Sequence, residues 1–244
     1  MSKESKELAV QDNMEVMPSE LMAEFAGDGA EDISSNDIQK SYIKVLQKAS
    51  KDFDAELGKA GDFIDSVTKE NFGSEIVVTI VRTVSTWNKF KDDNTLEKVS
   101  YDGIKWDDGT ALNSDEKWQN KFINCFVIRR EENGDYSPFP AIIGFKSTSL
   151  KFGSNLLTQL AKLAHGKQRE PIFARNYTFY SEKTENEKGA FHLLKWRLNP
   201  GFNTAEIMMQ AKATREMMKN VEVKYEEGMQ PGDETTLTDS DVTI

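Results

Sequence analysis

The sequence predicts a mainly β protein with flanking helices, an α+β chain built as an OB-fold-like antiparallel barrel between disordered acidic N- and C-terminal arms. Three observations lead there. Segments rich in β-branched and aromatic residues recur from Glu75 to Leu198, as strands do. One amphipathic helical stretch interrupts them after the third. Charge is segregated: residues 1–37 carry a net −8 and residues 226–244 a net −6, so within an overall −10 the residues between them are net +4.

Taken in order, residues 1–37 are polar and poor in aromatics, as in a disordered arm. From Ile38, the apolar Tyr42, Ile43, Val45 and Leu46 stand among Lys40, Lys44 and Lys48, which predicts a packing segment with a basic outer face. Residues 58–64 read as a turn into a short strand, and Asn71-Phe-Gly73 as another turn. Residues 75–87 are the strongest strand and the expected centre of the sheet. A polar insertion at 88–120 contains Phe90, Tyr101, Trp106 and Trp118, and is expected to rim a groove. Residues 121–129 and 139–146 read as antiparallel neighbours, with Asn133-Gly134 as the hairpin signal. Ser154 is the expected N-cap of a helix whose apolar side is Leu156, Leu157, Leu160 and Leu163 and whose stop is Gly166. Pro171 opens a fourth strand, residues 185–189 turn it into a fifth, and Asn199-Pro-Gly201 ends the sheet. A last helix over 204–219 completes a domain spanning 38–220, and an acidic tail occupies 221–244.

Composition narrows the function. With 38% apolar and 30% charged residues, and no apolar run near the ~20 residues that span a bilayer, a cytoplasmic protein with no membrane partner is expected. No apolar stretch follows Met1 as in a signal peptide. Cys125 is the one cysteine and sits in an apolar run, as a small buried hydrophobe does. With only His165 and His192 beside it, no zinc site, metal or cofactor is expected. Asp92-Asp93 and Asp107-Asp108-Gly109 lack calcium-loop spacing and read as turn formers. A nuclease would need convergent carboxylates, whereas Asp102, Asp107 and Asp108 share one loop. The chain is therefore expected not to be an enzyme.

The candidate site lies between Ile143 and Arg197. At a period of two, Phe173, Arg175, Tyr177 and Phe179 share one face of the fourth strand, and Lys195 and Arg197 one face of the fifth. Each ring taken singly reads as core; an arginine interleaved with three rings reads as a surface that stacks bases and neutralises phosphates. The expected backbone contacts are Lys146, Lys151, Lys167, Arg169, Arg175, Lys195 and Arg197. The expected stacking rings are Tyr177, Phe179, Trp106 and Trp118.

The run Ile143-Gly-Phe-Lys-Ser-Thr-Ser-Leu-Lys151, with Phe173, Tyr177 and Asn186-Glu-Lys-Gly189, resembles tailed-phage single-stranded DNA-binding proteins over residues 38–219. The resemblance implies an OB-fold, sequence-independent binding of single-stranded DNA in replication or recombination, and action in a host-cell cytoplasm. It also implies an acidic tail, here Asp233, Glu234, Asp239 and Asp241, that recruits replication or recombination proteins and competes with DNA. The chain departs from the pattern by ending in Ile244 where such tails often end in an aromatic residue. The expectation leaves room for a homo-oligomer. The alternatives are a protein-interaction factor or DNA-mimic inhibitor acting through the acidic arms, and a metal-dependent nuclease.

Overall fold

The computed structural model describes residues 41–48, 56–91, 95–131, 133–165, 167–186 and 189–223, all within the compact unit Gln39–Ile244. The N-terminal arm, the tail beyond Val223 and the helix stop at Gly166 lie outside the described residues.

A sixteen-residue strand, β3 (Glu75–Phe90), organises the sheet. Before it come β1 (Ser41–Val45) and β2 (Phe63–Asp65). After it come β4 (Leu96–Ser100), the short helix α1 (Ser114–Gln119), β5 (Lys121–Arg129) and β6 (Ala141–Phe145). A 3-10 turn (Ser147–Ser149) leads into α2 (Leu150–Lys162). The small hairpin β7 (Ala164–His165) and β8 (Gln168–Arg169) follows, then β9 (Asn176–Asn186), β10 (Gly189–Leu198) and α3 (Ala205–Met217).

The large sheet runs β10-β9-β3-β5-β6-β1-β2, with β4 alongside the far end of β3. All its ladders are antiparallel except β1 with β6, where Ser41 faces Ala141 and Tyr42 faces Ile142. Within it, β3, β5 and β6 are consecutive neighbours and β9 returns across α2 to lie beside β3, which is Greek-key order.

This is an open, mixed sheet rather than the wholly antiparallel barrel expected. The physical reason is the segment after Ile38, which forms a strand against β6 and so occupies that edge. The insertion is corrected as well: β3 continues to Phe90 and pairs with β4, so residues 88–120 are partly sheet.

The sheet buries both faces, as the unbroken apolar run of β5 requires. Ile123, Cys125 and Val127 pack with Ile76, Val78, Ile80, Ile143, Phe145 and the α2 residues Leu156 and Leu160. Phe122, Phe126 and Ile128 pack on the other side with Tyr42, Ile142, Ala211, Val221 and Val223. Strand β3 serves both cores through a bulge at Val81, since Ile80 faces Val127 while Arg82 faces Phe126. The extra residue shifts the alternation by one, so that Val81 and the adjacent Arg82 both lie on the side of the second core. Arg82 then lies 5.1 Å from the Phe126 ring centre and donates to the carbonyls of Met218 and of Val221, at 2.8 Å to the latter.

Helix α2 begins four residues before the expected cap, placing Ser154 inside it. Gly153 permits this. A Cβ there would stand 2.7 Å from the Cβ of Phe145, so its absence lets the helix settle on β6.

The two ends of the sheet meet through side chains. The Gln47 amide donates to the His192 carbonyl at 2.7 Å and accepts from the His192 N–H at 2.9 Å. Ser149 Oγ accepts from the Leu194 N–H at 3.1 Å. Gly61, at φ +99°, leaves room for the imidazole, because a Cβ would fall 2.5 Å from His192 Nδ1.

Two predictions follow from this packing. Gly153→Ala destabilises the fold by about 1–3 kcal/mol in denaturant melts, because displacing Phe145 outweighs the gain in helix propensity. His192 holds its pKa below the ordinary value through burial, with Lys183 adding to the effect and Asp62 opposing it; Nδ1 is buried without a partner among the described residues. The unfolded chain therefore takes up the proton first as pH falls. Stability declines as pH falls through about 6.5, the ordinary imidazole value at which the unfolded chain takes up the proton, and His192→Gln, which keeps the Gln47 bonds to the backbone, removes most of that decline.

Candidate nucleic-acid interface

The geometry of the β9–β10 hairpin decides which expected residues can act together. Phe179 faces Trp196, Tyr180 faces Lys195, Thr178 faces Arg197 and Tyr177 faces Leu198. Directly opposed residues point to the same side of the sheet. Tyr177, Phe179, Trp196 and Leu198 therefore turn to the first core, and Thr178, Tyr180, Lys195 and Arg197 to the other face, where Thr178 is buried and the other three keep exposed surface.

The stacking assignment of Tyr177 and Phe179 is thereby corrected. Both have no exposed surface. Phe179 packs edge-on to Phe145 at 5.7 Å and Tyr177 edge-on to Trp196 at 6.2 Å, inside the core covered by α2. Burial pushes the Tyr177 phenol up to about 12. Trp106 is corrected for the same reason, being 4% exposed within the insertion. Trp118 is carried on α1.

Arg175 does not join the outward cations. Its guanidinium forms a fork with buried Glu170, with contacts of 2.8 and 3.0 Å, and lies 4.1 Å from the centre of the Phe202 ring. The Glu170 carboxylate raises the Arg175 pKa. This pair is a clamp at the root of the β7–β8 hairpin, where the Glu170 N–H donates to the Leu163 carbonyl at 3.1 Å.

Lys151, Lys195 and Arg197 do come together, beside two rings that period-two reading passed over. Lys151 Nζ lies 5.1 Å and Lys195 Nζ 5.0 Å from the centre of the Phe152 ring. The Trp196 indole donates to the Phe152 carbonyl at 2.8 Å and so fixes the start of α2 against β10. The Arg197 guanidinium lies 5.3 Å from the Tyr180 ring. Phe152 and Tyr180 are each partly exposed. Lys195 is paired with Glu182, and Arg197 with Glu75 at 2.9 and 3.2 Å. Such open ion pairs contribute only about 0–1 kcal/mol, so a phosphate can compete for these cations. Tyr180 was legible in principle, since it pairs with Lys195 once the hairpin register is known.

Lys146 precedes the 3-10 turn and is half-buried. Lys167 and Arg169 are exposed on the β7–β8 hairpin, beyond the far end of α2. Asp233, Glu234, Asp239 and Asp241 lie outside the described residues.

The loop carboxylates serve the loop. Asp102 accepts from the Ile104 and Lys105 N–H groups at 2.7 and 3.0 Å, which holds it below the usual carboxylate range. Asp108 is held lower still by Lys98 at 2.7 Å and by Thr110. Among the described residues no three His, Cys, Asp or Glu side chains group as metal ligands. Burial pushes the Cys125 thiol up to about 12, keeping it protonated. No helix among the described residues is long and apolar enough to cross a membrane.

Together these features define a mainly β protein with an open mixed sheet, covered by a helix on each face and carrying paired rings and cations at one edge. The chain belongs to the Pam3 phage gp34-like protein family, which matches residues 10–224. No curated protein and no solved structure matches it.

The clamp is testable apart from any ligand. Arg175→Ala removes the fork from the buried Glu170 carboxylate and lowers stability by about 1–3 kcal/mol. Arg175→Lys restores only part of this in thermal melts, because an ammonium cannot fork onto both oxygens.

Proposed function

We propose that this phage-family protein binds single-stranded DNA without sequence preference, in replication or recombination inside the host cell, through the outer face of the β9–β10 hairpin. The observation that carries the reading is the gathering of Lys151, Lys195 and Arg197 around the half-exposed rings of Phe152 and Tyr180. Rings supply stacking that tolerates any base, and cations beside them take the phosphates. The Greek-key order of β9-β3-β5-β6, with α2 before the returning strand and β10 closing the hairpin, supports an OB-fold reading. In that reading β1–β2 is an added edge. The acidic residues Asp233, Glu234, Asp239 and Asp241 are proposed to recruit replication or recombination proteins and to compete with DNA for the same cations.

The test is titration of the protein with labelled oligo-dT over a range of salt. Wild type is expected to bind at low salt and to weaken steeply as salt rises. Lys195→Ala with Arg197→Ala lowers the salt slope by about 1.4, at roughly 0.7 per phosphate contact, and Tyr180→Ala costs about 1–3 kcal/mol of binding. No binding at low salt would overturn the reading, and capture of a protein partner with none of DNA would favour an interaction factor instead.

A further inference from the structure

The solvent side of α2 continues the basic surface away from the hairpin. At 100° per residue, Lys151, Asn155, Thr158 and Lys162 fall within roughly a 60° arc, and all four are exposed. The helix contains no Asp or Glu along its 13 residues. Chain direction then carries the line onto the β7–β8 hairpin, where Lys167 and Arg169 are exposed and Ala164 pairs with Arg169. Glu170, the sole acidic residue between Lys146 and Tyr180, is 7% exposed and forked by Arg175. Its charge is therefore buried and offset by Arg175. Among the described residues no carboxylate pairs with Lys162, Lys167 or Arg169.

We infer that this face of α2 and the β7–β8 hairpin form a second anion-binding track, which extends the DNA footprint from Phe152 to Arg169. The inference rests on the proposed interface and adds a direction and a length to it. Lys151 and Lys162 are separated by about 16 Å along the helix. That distance spans roughly five nucleotides at the ~3.4 Å spacing of a stacked strand. Asn155 and Thr158 offer neutral hydrogen-bonding groups between the two cations. The described side chains of the track, Lys151, Asn155, Thr158, Lys162, Lys167 and Arg169, carry no ring, so they take phosphates and leave stacking to Phe152 and Tyr180. A strand of about four nucleotides is held by the hairpin patch alone, while one of about twelve engages both, within the range of site sizes of small single-strand-binding domains.

The experiment compares dT4 and dT12 binding to three forms of the full chain: wild type, Lys162→Ala/Lys167→Ala/Arg169→Ala, and Lys195→Ala/Arg197→Ala. All three track side chains are exposed, so the triple variant should keep the wild-type melting temperature. It is expected to bind dT4 as wild type does and to lose at least tenfold in dT12 affinity, with the salt slope for dT12 reduced by about 2, at roughly 0.7 per contact. The hairpin variant should lose affinity for both lengths. Unchanged dT12 affinity and slope in the triple variant would overturn the track and leave the hairpin interface standing. Binding of neither oligonucleotide by wild type would overturn both.

Discussion

Everything in this fold hangs on the shared strand β3. Residues 75–79 pair with β9, 78–87 with β5 on the other side, and 87–90 with β4. A strand used by so many neighbours cannot keep one face to the core along its whole length. The bulge at Val81 shifts the alternation midway. With apolar residues on both sides of β3 and β5, the sheet has two cores, one on each face, each covered by a helix. The β9–β10 hairpin hangs from the first part of β3, so its outer face lies beyond the second core and stays open to solvent at Tyr180, Lys195 and Arg197.

An open sheet leaves exposed strand edges, which invite pairing with another chain. Here β10 is blunted by side chains. Gln47 supplies both halves of a strand-like pairing to His192, and Ser149 takes the Leu194 N–H. Both come from connecting segments next to β1 and α2, so the same contacts that satisfy the edge also tie the sheet ends and fix the start of α2. Trp196 adds its indole bond to Phe152. The ring approached by Lys151 and Lys195 is thus held by the contacts between the β10 edge and the start of α2.

Much of this was legible in the sequence. The continuous run from Phe122 to Ile128 announced a strand buried on both sides, and Asn133-Gly134 marked its turn into β6, where Gly134 takes φ +93°. The order of the later strands and α2 was legible as well. What period-two reading lacked was register. It sorted each strand into two faces, but it could not say which face of β9 shares a side with which face of β10. That choice depends on the register in which β9 pairs with β10 and β3. Placing Tyr177 and Phe179 with Lys195 and Arg197 was the wrong one of two options, and Tyr180 belonged to the other. β1 was hidden for a different reason: lysines interrupt its apolar residues, and its parallel partner β6 lies about a hundred residues downstream. Trp106 illustrates a third limit, since burial within a polar insertion depends on packing that local pattern does not encode.

The charge distribution supplies the last step. A chain of net −10 repels a polyanion at long range, yet binding is decided within about a Debye length, roughly 8–10 Å in ordinary salt. At that scale the residues from Lys146 to Tyr180 hold six cations against Glu170 alone, and Arg175 already neutralises that carboxylate. Lys195 and Arg197 are paired with Glu182 and Glu75, but all four groups keep water contact, so each pair is readily exchanged for a phosphate. The rings work in the same direction: a cation held about 5 Å from an aromatic face is oriented without being neutralised. The two ends hold 16 of the 41 acidic residues against two lysines, while six cations stand between Lys146 and Tyr180 against one acid. That separation lets a net-negative protein present a locally positive surface.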